Sequence, residues 1–177
     1  MALKLVKLTK EYQRQLTEMV DEWAAFNKEH PEANTSPWAI FKGDYKNDFD
    51  NYLSYMYDDE TKLAKGYVPD VTLFLYDDER DIFIGAANIR KYLNERLLNG
   101  GGHIGDGIRP TERGKGYGTL LVKLALEECK KLGINRVLMC CNKFNEGSRK
   151  TIIKNGGVLE NEVPVDDSIT QRYWINL

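Results

Sequence analysis

The stretch from Ile104 to Gly118, Ile-Gly-Asp-Gly-Ile-Arg-Pro-Thr-Glu-Arg-Gly-Lys-Gly-Tyr-Gly, constrains the fold of this chain more than any other. An apolar run with small residues reaches Pro110, a Gly-rich turn with two cations follows, and Thr119 to Leu132 carries helical periodicity. That order predicts a strand, a loop and a helix N-terminus. The first N–H groups of a helix lack internal partners and its dipole adds partial positive charge, so a Gly-rich loop leading into it can wrap a phosphate. Arg113 and Lys115 bring full charges to the same place. The stretch reads as a polyanion site, against the plainer alternative of a flexible surface turn.

Spacing tests which polyanion. Gly114 to Gly118 is too short for a nucleoside-triphosphate P-loop and runs into Thr119-Leu120. A dinucleotide loop needs Gly-x-Gly-x-x-Gly with an acid about twenty positions on. Here Gly114, Gly116 and Gly118 alternate, and Arg136 stands near the acid's place. What remains, Arg113-Gly-Lys-Gly116-Tyr-Gly118, resembles the R/Q-x-x-G-x-G/A pyrophosphate loop of the GNAT superfamily of N-acetyltransferases. Downstream, Ile134 to Cys141 reads as a buried strand. Asn145-Glu-Gly-Ser148, with a helical stretch ending at Lys154-Asn-Gly-Gly157, is similar to the family's N-x-x-A/S segment closing on Gly-Phe, with Gly157 replacing the aromatic. The close resemblance covers about residues 104–157.

Whole-chain properties are those of an ordinary soluble protein. At 177 residues the chain can bury a sizeable core. No apolar run approaches the roughly 20 residues that span a bilayer, and Met-Ala-Leu-Lys does not resemble a secretory leader, so a cytoplasmic protein without a membrane partner is expected. Cys129, Cys140 and Cys141 lack disulfide or zinc-ligand spacing, so core thiols and no metal are expected. Residues 44–81 carry eleven acids against four bases, and residues 109–154 eleven bases against four acids. The basic half suits a triphosphorylated cofactor. The acidic half suits a cationic acceptor or is a solvated face. The overall balance, a net charge of −2, argues against nucleic acid as a partner.

Periodicity lays out the remaining elements. Leu3 to Leu8 predicts a strand; Thr9 can cap a helix whose apolar stripe is Tyr12, Leu16, Met19, Val20 and Trp23; Tyr45 to Met56 repeats the helical spacing. Val71–Tyr76 and Ile82–Ile89 predict a hairpin, and Val158–Val163 with Ile169–Ile175 a second. Val122, Ala125, Leu126, Cys129 and Leu132 form the expected buried stripe of the central helix, with Gly133 as its C-cap. The fold class is α/β (α+β). A single domain is expected, with a central mixed, mostly antiparallel sheet of about six to seven strands flanked by about four helices. Its divisions are an acceptor side at about 1–103, a cofactor core at about 104–157 and a C-terminal hairpin at about 158–177. The segment from Arg90 to His103 interrupts the sheet, as a flap over the acceptor or a plain loop.

The resemblance implies an acetyl-CoA-dependent N-acetyltransferase in which a primary amine attacks the thioester directly in a ternary complex. It implies contacts to acetyl-CoA from Ile108, Arg109, Arg113, Gly114, Lys115, Gly116, Tyr117, Gly118, Asn145 and Ser148. It implies an amine-bearing acceptor lined by the first helices, with Trp23, Trp38, Tyr45 and Tyr52 as pocket or core aromatics. GNAT proteins often dimerise, so a homodimer belongs to the same expectation. Asp106 and His103 are the candidate bases, His103 having the intrinsic pKa nearer neutral, about 6.5. The family's tyrosine acid falls at Ile152 here, so the leaving thiolate would rely on water or a hydroxyl such as Ser148. That gap keeps a second reading open, a non-catalytic acetyl-CoA sensor that regulates a partner.

Overall fold

The computed structural model describes residues 3–177; Met1 and Ala2, part of the stretch compared with a leader, lie outside the described residues. Seven strands and five α-helices follow one another, beginning with β1 (Leu3–Lys7), α1 (Gln13–Glu29), α2 (Phe49–Met56) and α3 (Asp59–Ala64). The hairpin β2 (Asp70–Asp77) and β3 (Ile82–Arg90) leads to β4 (Ile104–Ile108), α4 (Tyr117–Lys131), β5 (Arg136–Asn142) and α5 (Glu146–Lys154). A closing hairpin, β6 (Val158–Val165) and β7 (Ser168–Asn176), completes the chain.

Local sequence accounts for most boundaries. The Asp48 side chain accepts from the Asn51 N–H at 3.3 Å and that of Asp58 from the Thr61 N–H at 2.9 Å, so α2 and α3 start on Asx caps. Thr9 does not cap α1. A 3-10 turn at Lys10–Tyr12 intervenes, and the Thr9 carbonyl accepts from the Tyr12 N–H at 3.1 Å instead. Gly133, at φ +78°, ends α4 as expected, but Leu132 is 43% exposed because it lies beyond the last helical turn. Leu121 takes its place in the stripe, buried with Val122, Ala125, Leu126 and Cys129. Each such Leu or Val contributes about 1.5–3 kcal/mol relative to an exposed position.

Two apolar clusters form on opposite sides of the first sheet. One joins α4 and Ile152 of α5 to Leu75, Ile84, Ile104 and Met139; the other packs Leu16, Met19, Val20 and Trp23 of α1 with Tyr52, Phe74 and Phe83. A Cβ on Gly157 would come within 2.4 Å of the Ile152 side chain and 2.9 Å of its carbonyl oxygen, so the chain leaves α5 in a close turn that only glycine allows.

The strands divide into two antiparallel sheets, β1-β2-β3-β4 and β5-β7-β6. They meet at one seam. The His103 N–H donates to the Leu138 carbonyl at 2.7 Å, and the Leu138 N–H donates to His103 Nδ1 at 2.9 Å. Beyond it β4 pairs with β3 alone and β5 with β7 alone, so a cleft opens between them. Gly102 makes the seam feasible: its φ of 69° and ψ of −175° belong almost only to glycine, and a Cβ there would lie 2.5 Å from the Leu138 carbonyl oxygen. The segment before it, including a π-type turn at Leu97–Gly101, packs on the second sheet through the Leu98 carbonyl, which accepts from Arg172 Nε at 2.9 Å.

Gly102→Ala is therefore expected to lower the unfolding free energy by about 3 kcal/mol through forced backbone strain and overlap, read as an earlier urea midpoint. An unchanged midpoint would mean the strands join by other means.

Candidate active site

The end of β4 and the start of α4 build an open cradle. Gly114 and Gly116 have φ of +75° and +85°, and a Cβ on either would meet nothing within 4 Å. Left-handed glycines turn successive N–H groups toward one side. Among the described residues the backbone N–H groups of 114–119 have no acceptor; the Leu120 N–H is the next in the chain to find one, the Gly116 carbonyl at 3.3 Å. Gly118 and Tyr117 open the helix that supplies the dipole.

The two cations of the loop are engaged elsewhere. Arg113 donates from Nε to the Ile108 carbonyl at 2.9 Å and lies over the Phe26 ring at 4.7 Å. Lys115 reaches Glu112 at 3.2 Å. Backbone dipoles, more than side-chain charge, thus face the cradle. The Arg109 N–H donates to the Ile84 carbonyl at 2.9 Å.

Two carboxylates that carry no sequence signal hold the loop in place. Glu112 is buried and accepts from both Arg80 (3.0 Å) and Lys115. Burial alone would raise its pKa, but the hydrogen bonds from Arg80 and Lys115 outweigh it and hold the group below its ordinary value. Glu22 of α1 binds the Arg109 guanidinium and accepts from the Thr111 N–H and hydroxyl, both at 2.9 Å. It ties the first helix to the strand end.

Asp106 stands on β4, on the same pleat face as Ile104 and Ile108, in the part of the strand that borders the cleft. Burial raises its pKa to about 6, with the Arg90 charge and a backbone N–H drawing it partly back. His103 belongs to the seam: Nδ1 already accepts from Leu138, so a neutral ring carries its proton on Nε2 and has no free lone pair. Burial, then Arg90, lowers its pKa, which keeps it neutral. Asn145 caps α5, its side-chain oxygen accepting from the Ser148 N–H at 3.2 Å, and the Ser148 hydroxyl lies against the buried Cys141 thiol of β5. Ile152 is fully buried. Cys129, Cys140 and Cys141 are all free thiols, and burial pushes the first two up to about 12.

The aromatics divide by burial. Trp23 and Tyr52 are buried, the Tyr52 hydroxyl donating to the Ile40 carbonyl at 2.7 Å, while Trp38 is 66% exposed and Tyr45 donates to Asp21 at 2.7 Å. Trp23 Nε1 and Asn27 Oδ1, one turn apart on α1, are buried without partners. The acids of 44–81 are largely engaged: Asp48 and Asp58 cap helices, Asp70 binds Lys62 at 2.5 Å, Asp77 binds Arg80 at 2.6 Å and Asp59 binds Lys91 at 2.8 Å. No group of three metal-ligating side chains occurs among the described residues, nor a helix long and apolar enough to cross a membrane.

The family model of the acetyltransferase (GNAT) domain matches residues 4–158. The chain belongs to the GNAT acetyltransferase family. This GNAT chain also superposes on solved structures across nearly its whole length. The ribosomal-protein-S5-alanine acetyltransferase of Vibrio fischeri gives a TM-score of 0.69 at 15% identity, covering 98% of this chain and 92% of that one. The RimL ribosomal L7/L12 alpha-N-protein acetyltransferase, solved with coenzyme A, gives 0.68 at 14%, covering 99% and 94%. The microcin C7 self-immunity acetyltransferase MccE, solved with acetyl-CoA and AMP, gives 0.65 at 15%, covering 99% and 92%. At such identities the likeness is one of fold. A comparison with curated protein sequences finds no match.

Glu112→Gln removes the carboxylate from Arg80 and Lys115 and is expected to cost about 2–3 kcal/mol of stability at neutral pH. Because the folded pKa of Glu112 is depressed, its contribution is present above the unfolded value and fades as pH falls through the folded one. The stability difference between wild type and variant should therefore shrink in acid. A difference independent of pH would contradict the assignment.

Proposed function

We propose that this GNAT protein transfers the acetyl group of acetyl-CoA to a primary amine of a small molecule or protein, in a ternary complex and without an acyl-enzyme. The observation that carries this reading is the run of partnerless N–H groups at 114–119, on the loop that follows the strand bearing Asp106. Partnerless N–H groups on a Gly-rich loop at a helix N-terminus fit a diphosphate. Relatives solved with coenzyme A or acetyl-CoA support the same donor.

Bound acetyl-CoA supplies an activated acetyl group and a thiol leaving group. The chain's residues align and deprotonate. Residues 113–118 hold the diphosphate end, and Arg113 releases the Ile108 carbonyl so that the backbone of Ile108 can pair with the donor's arm, while the Arg109 N–H stays with the Ile84 carbonyl. Asn145 and Ser148 contact the donor near its sulfur. Asp106 takes the proton of the incoming ammonium, since a carboxyl near 6 is ionised at neutral pH yet more basic than an ordinary aspartate. His103, its lone pair given to Leu138, positions β4 against β5. The second reading, a non-catalytic acetyl-CoA sensor, is favoured by Ile152 where relatives carry a tyrosine acid. An ordinary thiol pKa of about 8.5 makes the thiolate a fair leaving group without that acid.

The test is release of free thiol from acetyl-CoA over polyamines, aminoglycosides, amino acids and Lys- or N-terminal peptides, beside a binding titration of acetyl-CoA. Acceptor-dependent release is expected; binding without release from any acceptor would replace the enzyme by the sensor. Asp106→Asn should lower kcat/KM by about 10²- to 10⁴-fold. Wild-type kcat/KM should fall below about pH 6 as Asp106 becomes protonated, and this limb should vanish in the variant. Near-normal turnover of the variant would remove Asp106 as the base. Gly116→Trp places a bulky side chain at φ +85° inside the cradle and should weaken acetyl-CoA binding at least about tenfold. Unchanged affinity would sink the diphosphate assignment.

A further inference from the structure

Arg113 links two places that the donor must occupy. It immediately precedes Gly114, where the run of partnerless N–H groups begins, yet its guanidinium is turned back onto β4, where Nε donates to the Ile108 carbonyl at 2.9 Å. Register shows which edge of the strand this closes. The Arg90 N–H donates to the His103 carbonyl at 2.7 Å and the Arg109 N–H to the Ile84 carbonyl at 2.9 Å, while Ile108 stands opposite Gly85. Backbone groups alternate between the two sides of an antiparallel strand, so those of Ile108 point away from β3 and into the cleft. The guanidinium thus occupies the edge along which the donor's arm pairs.

What holds it there carries no charge. Beyond the Ile108 carbonyl, the guanidinium lies over the Phe26 ring at 4.7 Å and the Trp23 ring at 5.7 Å. Among the described residues Arg113 enters no ion pair, and the Nε bond is its one side-chain hydrogen bond. Glu22, whose charge it feels, is already taken by Arg109 and Thr111. Burial, opposed by that charge, depresses the Arg113 pKa, as expected of a cation without its own anion. A diphosphate is a stronger partner for a guanidinium than a carbonyl, because it offers charge and paired oxygens to the planar donors. A ligand moves such a group only by binding one of its positions better than the other. The diphosphate has that differential affinity. The arm has none, since it must displace the Arg113 contact and offers no charge in exchange.

Resting on the donor site of the transferase reading, we infer that Arg113 selects the donor: turned back, it shuts the β4 edge, and a diphosphate in the cradle draws it off. The arm site is then conditional on the diphosphate site. Thioesters of coenzyme A are accepted, and thioesters on the same arm without a diphosphate are refused.

The experiment is a binding titration of acetyl-CoA and of S-acetylpantetheine, which has the arm and no diphosphate, each with and without inorganic pyrophosphate. In the wild type, saturating pyrophosphate should tighten S-acetylpantetheine binding about tenfold, the scale of one charged hydrogen bond, and S-acetylpantetheine should tighten pyrophosphate equally. Arg113→Ala leaves the edge open. It should bind S-acetylpantetheine about tenfold tighter than the wild type, lose the pyrophosphate effect, and bind acetyl-CoA more weakly, so that the two donors shift in opposite directions. A purely structural Arg113 would weaken both donors alike, which overturns the inference. If Arg113→Ala does not fold, the wild type decides: S-acetylpantetheine binding that pyrophosphate does not tighten, with acetyl-CoA still bound, overturns the selection and leaves the donor site standing. Failure of acetyl-CoA itself to bind removes the donor site, and the inference with it.

Discussion

The paired hydrogen bonds between His103 and Leu138 are what the rest of the structure depends on. They are the point at which two antiparallel sheets are made into one body, and the point beyond which they part. A continuous ladder between β4 and β5 would have consumed the backbone groups and the space of the cleft. The glycine at 102 permits the close approach, and the imidazole supplies the acceptor that a second carbonyl would supply in a regular ladder. A group with an intrinsic pKa near neutral, which on chemical grounds looks like a base, is here an element of architecture.

From that seam the site is assembled by polar ties between helices and loop rather than by apolar packing. Gly114 and Gly116 stand in open space, so the loop is held from below by Glu112 with Arg80 and Lys115, from the side by Glu22 with Arg109 and Thr111, and at its helical end by Tyr117 on the core and by Asn155, whose amide donates to the Thr119 carbonyl. Carboxylates can hold guanidinium and amide groups at fixed geometry while the backbone turns away. The same logic places Arg90: the chain leaves it a carbonyl fringe and no carboxylate, in a position where its field reaches both His103 and Asp106.

Much of this was legible in the sequence, for identifiable reasons. Strand β4 is bounded at Ile104 and Ile108 as read, because Gly-Gly before it and Pro110 after it interrupt any regular element. The loop and helix that follow were legible because glycine alternation and 3.6-residue periodicity are local properties. Asn145 as the start of α5 and Gly133 as the end of α4 were legible for the same reason. Misplacements occurred at helix ends, where one residue decides exposure: Leu132 falls just outside the last turn, and Thr9 precedes a 3-10 turn that takes its cap away. Glu22, Glu112 and Arg90 carried no signal, since a lone charged residue on a helix or strand end reads the same whether it faces water or a distant partner.

Periodicity, glycine placement and helix-end chemistry act over a few residues of chain, so the order of elements, the Gly-rich turn between β4 and α4 and the family could be read from the sequence alone. The roles of the titratable groups, in contrast, follow from long-range packing. His103 and Asp106 lie three residues apart, yet one is committed to a backbone N–H of β5 and the other is raised to about 6 by burial beside the cleft. Their partners, Leu138 and Arg90, come from other strands. Desolvation and hydrogen bonding are set by what the fold brings alongside, and no local pattern in the chain encodes it.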